Sequence, residues 1–180
     1  MHRPRLPIAV TSVILAIAII HGQSQSVPKQ KEQTHFSAKD KDVNLPAAIP
    51  AGVLAILAKD ELVLKVLNDQ KIAPADLPAS WFSAARVQLR RKGEQDLIVA
   101  SKGPIVGANI SPFWVFVQDR HGFRLALSIS VHDLIVNRTR SHGYRDLEVD
   151  GMTASTIATR RFRFDGNEYK KFSEKTEDIK

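Results

Sequence analysis

The sequence predicts an α+β protein in which an N-terminal helix or helix pair packs on an antiparallel β-meander of about six to eight strands. Three observations predict it. Apolar residues between positions 53 and 67 recur at spacings of three and four, the rhythm of a helix face. After Ser80 the rhythm drops to two, as half-buried strands require. Turn signals separate the alternating runs, at Lys92 and Gly93, at 119–122, and at Asp165 and Gly166.

From the N-terminus, the chain opens with Arg3 and Arg5, an apolar run at 6–20, and small residues at Gly22, Ser24 and Ser26. Basic, apolar and small in that order is the layout of a secretory signal peptide, here 1–26. A helix over 6–20 falls short of the roughly 30 Å of hydrocarbon it would have to cross, so no stable transmembrane segment is expected after processing. The expected location is periplasmic or secreted. Residues 27–45 are polar and charged without apolar rhythm and read as a disordered spacer. A single domain is expected over 46–172, and 173–180 reads as a frayed tail.

Composition supports one core: 43% of residues are hydrophobic and 25% charged. Cleavage near Ser24 or Ser26 leaves roughly 155 residues, enough to bury about two-thirds of the unfolded surface. The chain has no cysteine, which excludes disulfides, thiolate zinc sites and covalent haem attachment. A cysteine-free exported protein fits a bacterial envelope, and the glycosylation sequons at Asn109 and Asn137 would matter only in a eukaryotic secretory pathway. The net charge is +7, of which Arg3 and Arg5 carry two. That excess is too modest and too dispersed for a nucleic-acid site, and it fits a salt-sensitive attraction to an acidic partner.

Within the domain, Pro46 and Pro50 frame the start of the helical segment, and Asp60 is placed to cap its second piece. Residues 73–80 hold two prolines and read as loop. In the first hairpin Val87 and Leu89 share a face opposite Arg86, Gln88 and Arg90, and the chain returns through 97–100. The connection 101–112 carries Gly103 and Gly107 and is of the kind that crosses a sheet end or lines a site. The second hairpin alternates Phe113, Val115 and Val117 with Trp114, Phe116 and Gln118, then returns on Phe123, Leu125, Leu127 and Ile129. HDLIVNR, YRDLEV, STIATRRFRF and EYKKF continue the alternation to the end of the domain.

The stretch most suggestive of chemistry is RDLEVDG, with Asp146, Glu148 and Asp150 ahead of Gly151. A helix-loop-helix calcium site needs a bidentate glutamate at its twelfth position, and that place is held by Ile157. Leu147 and Val149 alternate with the acids as a strand demands, so the carboxylates are expected to face water or arginines across neighbouring strands. His121, His132 and His142 would need to converge from separate turns to hold a metal, and scattered surface positions are the expectation. His132 beside Asp133 has the composition of a base and its orienting acid. With His142 they define the alternative reading, a small metal-dependent or hydrolytic enzyme. Neighbours in a strand point to opposite faces, however, and the chain has no Gly-x-Ser-x-Gly elbow, no His-Glu-x-x-His and no glycine-rich phosphate loop. No cofactor and no metal ligand set is expected.

What remains is a surface. Arg138, Arg140, Arg145, Arg161 and Arg163 gather in the last third of the chain, with His142 and Tyr144 among them and Trp114 as an aromatic platform. Arginine beside aromatic residues is the composition that binding hot spots favour. Arginine on an outer strand face also blunts edge pairing, which accounts for part of the pattern without any ligand. The order GANISPFWVF, GYRDLEVDG, FRFDGNEYKKF resembles small secreted bacterial proteins of unassigned function, and RDLEVDG is similar to blade strands of FG-GAP-type repeat proteins, over about residues 96 to 172. Blade repeats come in several copies and this stretch stands once, and the resemblance implies no activity. The expectation is an exported, non-catalytic binding or accessory protein of the bacterial envelope. Its basic β-surface would contact an acidic envelope protein, a polysaccharide or a lipid headgroup.

Overall fold

The computed structural model describes residues 32–93, 95–107 and 109–179. The expected signal peptide and the start of the expected spacer lie outside them. Ten strands and two α-helices form among the described residues, and every strand pairing is antiparallel. The antiparallel sheet is as expected, but the architecture is β-rich: two five-stranded sheets stand in place of a single meander.

The first sheet is laid down before residue 132. Its strands are β2 (Pro46–Ala47), β3 (Phe82–Val87), β4 (Asp96–Ser101), β5 (Ser111–Asp119) and β6 (Gly122–Val131), in that spatial order. The second contains β1 (His35–Ser37), β7 (Asp133–Ser141), β8 (Tyr144–Met152), β9 (Thr156–Phe164) and β10 (Tyr169–Asp178), in the order β1, β7, β8, β9, β10. His132 alone separates β6 from β7. The chain therefore turns a corner from one sheet into the other without a loop.

Helices α1 (Ala51–Leu57) and α2 (Glu61–Asp69) cover one face of the first sheet. Val53, Leu57, Val63 and Leu67 project from them onto Leu97, Val99, Trp114 and Phe116. The break between the helices falls where the sequence places it. Asp60 Oδ1 accepts hydrogen bonds from the Leu62 and Val63 amides at 3.0 and 3.4 Å, so it caps α2, while Oδ2 accepts from Trp114 Nε1 at 2.8 Å and from the Ser128 hydroxyl at 3.0 Å. One carboxylate thus starts a helix and ties it to two strands.

The other face of the first sheet meets the second. Val87, Ile98, Phe113, Val115 and Val117 pack against Leu134, Val136, Leu147, Val149, Phe162 and Phe164 in a sandwich core. Strands β3, β4 and β5 are consequently buried on both faces and read as near-continuous apolar runs, whereas β7 and β9 bury alternate residues only. The outer face of the second sheet carries no covering layer among the described residues.

Two segments expected at the margins belong to the sheets. Phe36, inside the expected spacer, is 1% exposed in the sandwich core, and β1 pairs with β7 in the register Phe36 to Leu134. A short alternation on three residues was masked by the charged residues around it. The expected tail is the second half of β10, which pairs with β9 as far as Asp178. Its exposed Lys and Glu residues are what an edge strand uses to discourage a further strand. Two turns of the second sheet are tightly built. His142 and Gly143 both adopt positive φ, 50° and 82°, as a two-residue hairpin between β7 and β8 demands. Asp165 Oδ1 accepts from the Asn167 and Glu168 amides at 2.8 and 2.9 Å, closing the turn into β10, and those bonds hold its carboxyl below the ordinary value.

Candidate functional site

The site is built on the outer face of the second sheet by an irregularity in β7. Val136 pairs with Leu147 and Arg140 with Arg145, so residues 137–139 stand opposite Asp146 alone. The surplus residues arch away from β8. Arg145, 9% exposed, fills the space under the arch: Nη2 donates to Val136 O at 2.8 Å, Nε donates to Asn137 O at 2.7 Å, and Nη1 pairs with Glu32 Oε2 at 2.9 Å. Its own carbonyl accepts from the buried Tyr169 hydroxyl at 2.9 Å. A guanidinium with this many fixed partners is a structural clamp, since its fork matches two carbonyls and a carboxylate at once.

Beside the arch a groove of about 330 Å³ opens between β7, β8, β9 and β10, lined by Arg138, Arg161, Arg163, Asp146, Glu148 and Phe172 among others. The alternation of β8 and β9 puts the acids and the arginines on this face while Leu147, Val149, Phe162 and Phe164 look inward. Arg161 Nε donates to Glu148 Oε2 at 2.6 Å across the strand pair. Arg163 lies with its guanidinium carbon 3.9 Å from the centre of the Phe172 ring, a cation–π contact. Arg138 has no ion-pair partner among the described residues. Asp146 is 6% exposed, and its Oδ1 accepts no hydrogen bond from any described residue. A buried carboxyl oxygen without a donor is costly and rare enough to need an explanation.

The other expected surface residues fall elsewhere. Trp114 is completely buried beneath the helices, bonded to Asp60, so it is no surface platform. Tyr144 packs against the sandwich core, its ring stacked on Phe164 at 4.0 Å between centroids, and burial pushes its hydroxyl upward. Arg140 donates to Leu89 O and to Gly143 O, the latter at 3.2 Å. His142 Nδ1 stands 2.8 Å from Phe164 O at the hairpin end of β7. Of the eight residues expected to form the surface, Arg138, Arg161 and Arg163 share the groove. Asn137 and Arg138 also line a second hollow with Arg140 and Arg145.

Against the expectation from strand alternation, His132 and Asp133 are paired. His132 is a bend between two strands rather than a strand residue, so opposite-face alternation does not apply to it. Its Nδ1 is 2.8 Å from Asp133 Oδ2, and His35 Nε2 is 3.1 Å from Oδ1 of the same carboxylate. Burial pushes the Asp133 carboxyl up, but bonds from His132, Ser37 and His35 outweigh it and hold the group below its ordinary value. His142 stands at the far end of β7 from this cluster, and His121 lies in the turn between β5 and β6, so these histidines do not converge. Among the described residues no three His, Asp or Glu side chains are placed to hold a metal ion.

Sequence reasoning missed Asp146 and Phe172 as members of the site. Strand alternation points Asp146 outward, toward water or an arginine across the strands, and outward it does point. What removes it from water is the arch of β7, and no residue pattern announces that arch. Phe172 had a signal: an aromatic residue at a solvent-facing place in the charged run KKFSEK. Comparison with family models, with curated proteins and with solved structures finds no match for this chain.

Proposed function

We propose that the protein is an exported, non-catalytic binding protein of a bacterial envelope whose open sheet face takes hold of an acidic partner. The observation that carries this reading is the groove itself, in which Arg138 of β7 and Arg161 and Arg163 of β9 converge upon one concavity. Three guanidiniums stand there against two carboxyls, and only Arg161 of the three is ion-paired among the described residues. Arginine is suited to this work because its planar fork binds oxyanions through paired hydrogen bonds and gives up hydration readily. The basic-apolar-small leader at 1–26 supports a periplasmic or secreted location. No described helix is long and apolar enough to cross a membrane.

Retention of the protein on immobilised polyglutamate at low ionic strength tests the reading. Binding is expected at roughly 20 mM salt and release well before 0.5 M, because the screening length shrinks to a few ångströms over that range. Replacing Arg138 and Arg163 together by Gln should abolish retention without altering the melting temperature, since both are exposed. Equal retention of wild type and double variant would move the binding surface elsewhere.

A further inference from the structure

The groove is more than a basic patch, and the carboxyls in it are what identify its ligand. A surface built only to attract negative charge gains nothing from Asp146 and Glu148, which repel a phosphate or a run of carboxylates. Glu148 is answered by Arg161 at 2.6 Å. Asp146 has no such answer among the described residues: it is 6% exposed, it lines the groove, and its Oδ1 accepts from none of them. A ligand that satisfies it must bring a hydrogen-bond donor to the floor while it brings an anion to Arg138 and Arg163.

Phe172 adds a third requirement. It is 43% exposed on an edge strand otherwise made of Lys, Glu, Ser and Thr around it, and its ring is flanked on one side by Arg163. An exposed ring beside polar side chains offers an apolar plane for a flat, partly apolar ligand surface. The Asn137 amide, also on the groove, supplies both a donor and an acceptor. At about 330 Å³ the groove lies at the small end of ligand sites and well short of what a folded protein partner would cover.

Anion, neighbouring hydroxyl donors and an apolar ring face occur together in a carboxylate-bearing sugar. We infer that the groove binds a uronic-acid unit of an acidic polysaccharide, with the sugar carboxylate on Arg138 and Arg163, a ring hydroxyl donating to Asp146, and the ring's C–H face against Phe172. The inference rests on the acidic-partner reading above and narrows it from any polyanion to a glycan. A glycerol headgroup on a lipid phosphate brings charge and hydroxyls without a rigid apolar ring face, and an acidic peptide segment brings charge without one.

Titration calorimetry with a trigalacturonide probe, a neutral maltotriose of similar size and a short polyglutamate tests it. The trigalacturonide should bind the wild-type protein, and maltotriose should bind at least about tenfold more weakly for want of the carboxylate. Asp146→Asn should weaken the trigalacturonide about tenfold or more while leaving polyglutamate unchanged or tighter, because a lost acceptor harms a hydroxyl and a lost negative charge helps a polyanion. Phe172→Ala, on an exposed side chain whose loss leaves the fold intact, should weaken the sugar and spare polyglutamate. If polyglutamate and trigalacturonide bind alike and neither variant separates them, the sugar assignment is overturned while the acidic-partner reading stands. If wild-type protein binds neither at low salt, both fall together.

Discussion

The two sheets are built to the same strand count and the same antiparallel pairing, yet they do opposite things. The helix-backed sheet has both faces covered, and its strands β3, β4 and β5 hold almost nothing but buried side chains. The second sheet has one face in the sandwich core and one uncovered among the described residues, and there the charged residues gather. The contrast teaches where packing claims every residue of this chain and where it leaves residues free. A doubly buried strand is constrained at every position by packing, whereas an open sheet frees every second residue for chemistry.

The sharpest way to test that division is to truncate an aromatic residue from each sheet. Trp114→Ala should cost about 3–5 kcal/mol, because the ring is completely buried between helix and sheet and its indole N–H bonds to Asp60. The half-exposed Phe172 should change stability by no more than about 0.5 kcal/mol on the same substitution. Urea denaturation of both variants measures the difference, and comparable losses would break the comparison.

A smaller loss is expected where the open sheet borrows a buried charge. Arg145→Met leaves the carbonyls of Val136 and Asn137 and the Glu32 carboxylate without their donor, a cost of about 2–3 kcal/mol. Because the clamp supports the arch of β7, amide exchange at 137–139 should accelerate more than exchange in β4. Uniform acceleration in both sheets would mean that Arg145 acts on the whole fold rather than on the site.

The smallest effect concerns the corner where the sheets meet. The folded protein holds the Asp133 carboxyl below the ordinary carboxylate value of about 3.9. Its ionised form is therefore favoured by folding, and that contribution is complete above the unfolded value and lost as pH falls through the folded one. Asp133→Asn should narrow the gap between stability at pH 5 and at pH 2.5, read from denaturation midpoints. An unchanged gap would show that His132, Ser37 and His35 bind the carboxyl and the carboxylate equally.

Much of this arrangement could be read from the residues alone. The helix break and the cap at Asp60, the hairpins, the outward acids of β8 and the inward Leu147 and Val149 all follow from spacing, because each depends on neighbours in sequence. The division into two sheets did not follow. Alternation tells which residues share a face but not which strands share a sheet, and the single bend at His132 that divides them looks like any other strand residue. The aromatic member of the site was assigned to Trp114 when Phe172 holds the place. Trp114 alternates with Phe113 and Val115 on a strand where both faces are buried, so alternation there carried no information about exposure. The arginines of the groove were legible as a group, but Arg140 and Arg145 were not separable from Arg138 without the backbone carbonyls that occupy them.

His132 also settles a matter of parity. As the only residue between β6 and β7, it sets which residues of β7 look toward the interior, and through the fixed pairings which of β8 and β9 follow. One residue more or one fewer at this corner would turn Leu134, Leu147 and Phe162 to the water and fold Asp146, Arg161 and Arg163 into grease. An evolving lineage could lengthen the hairpins of the second sheet freely in pairs, but at this single bend the reading frame of the entire face is locked.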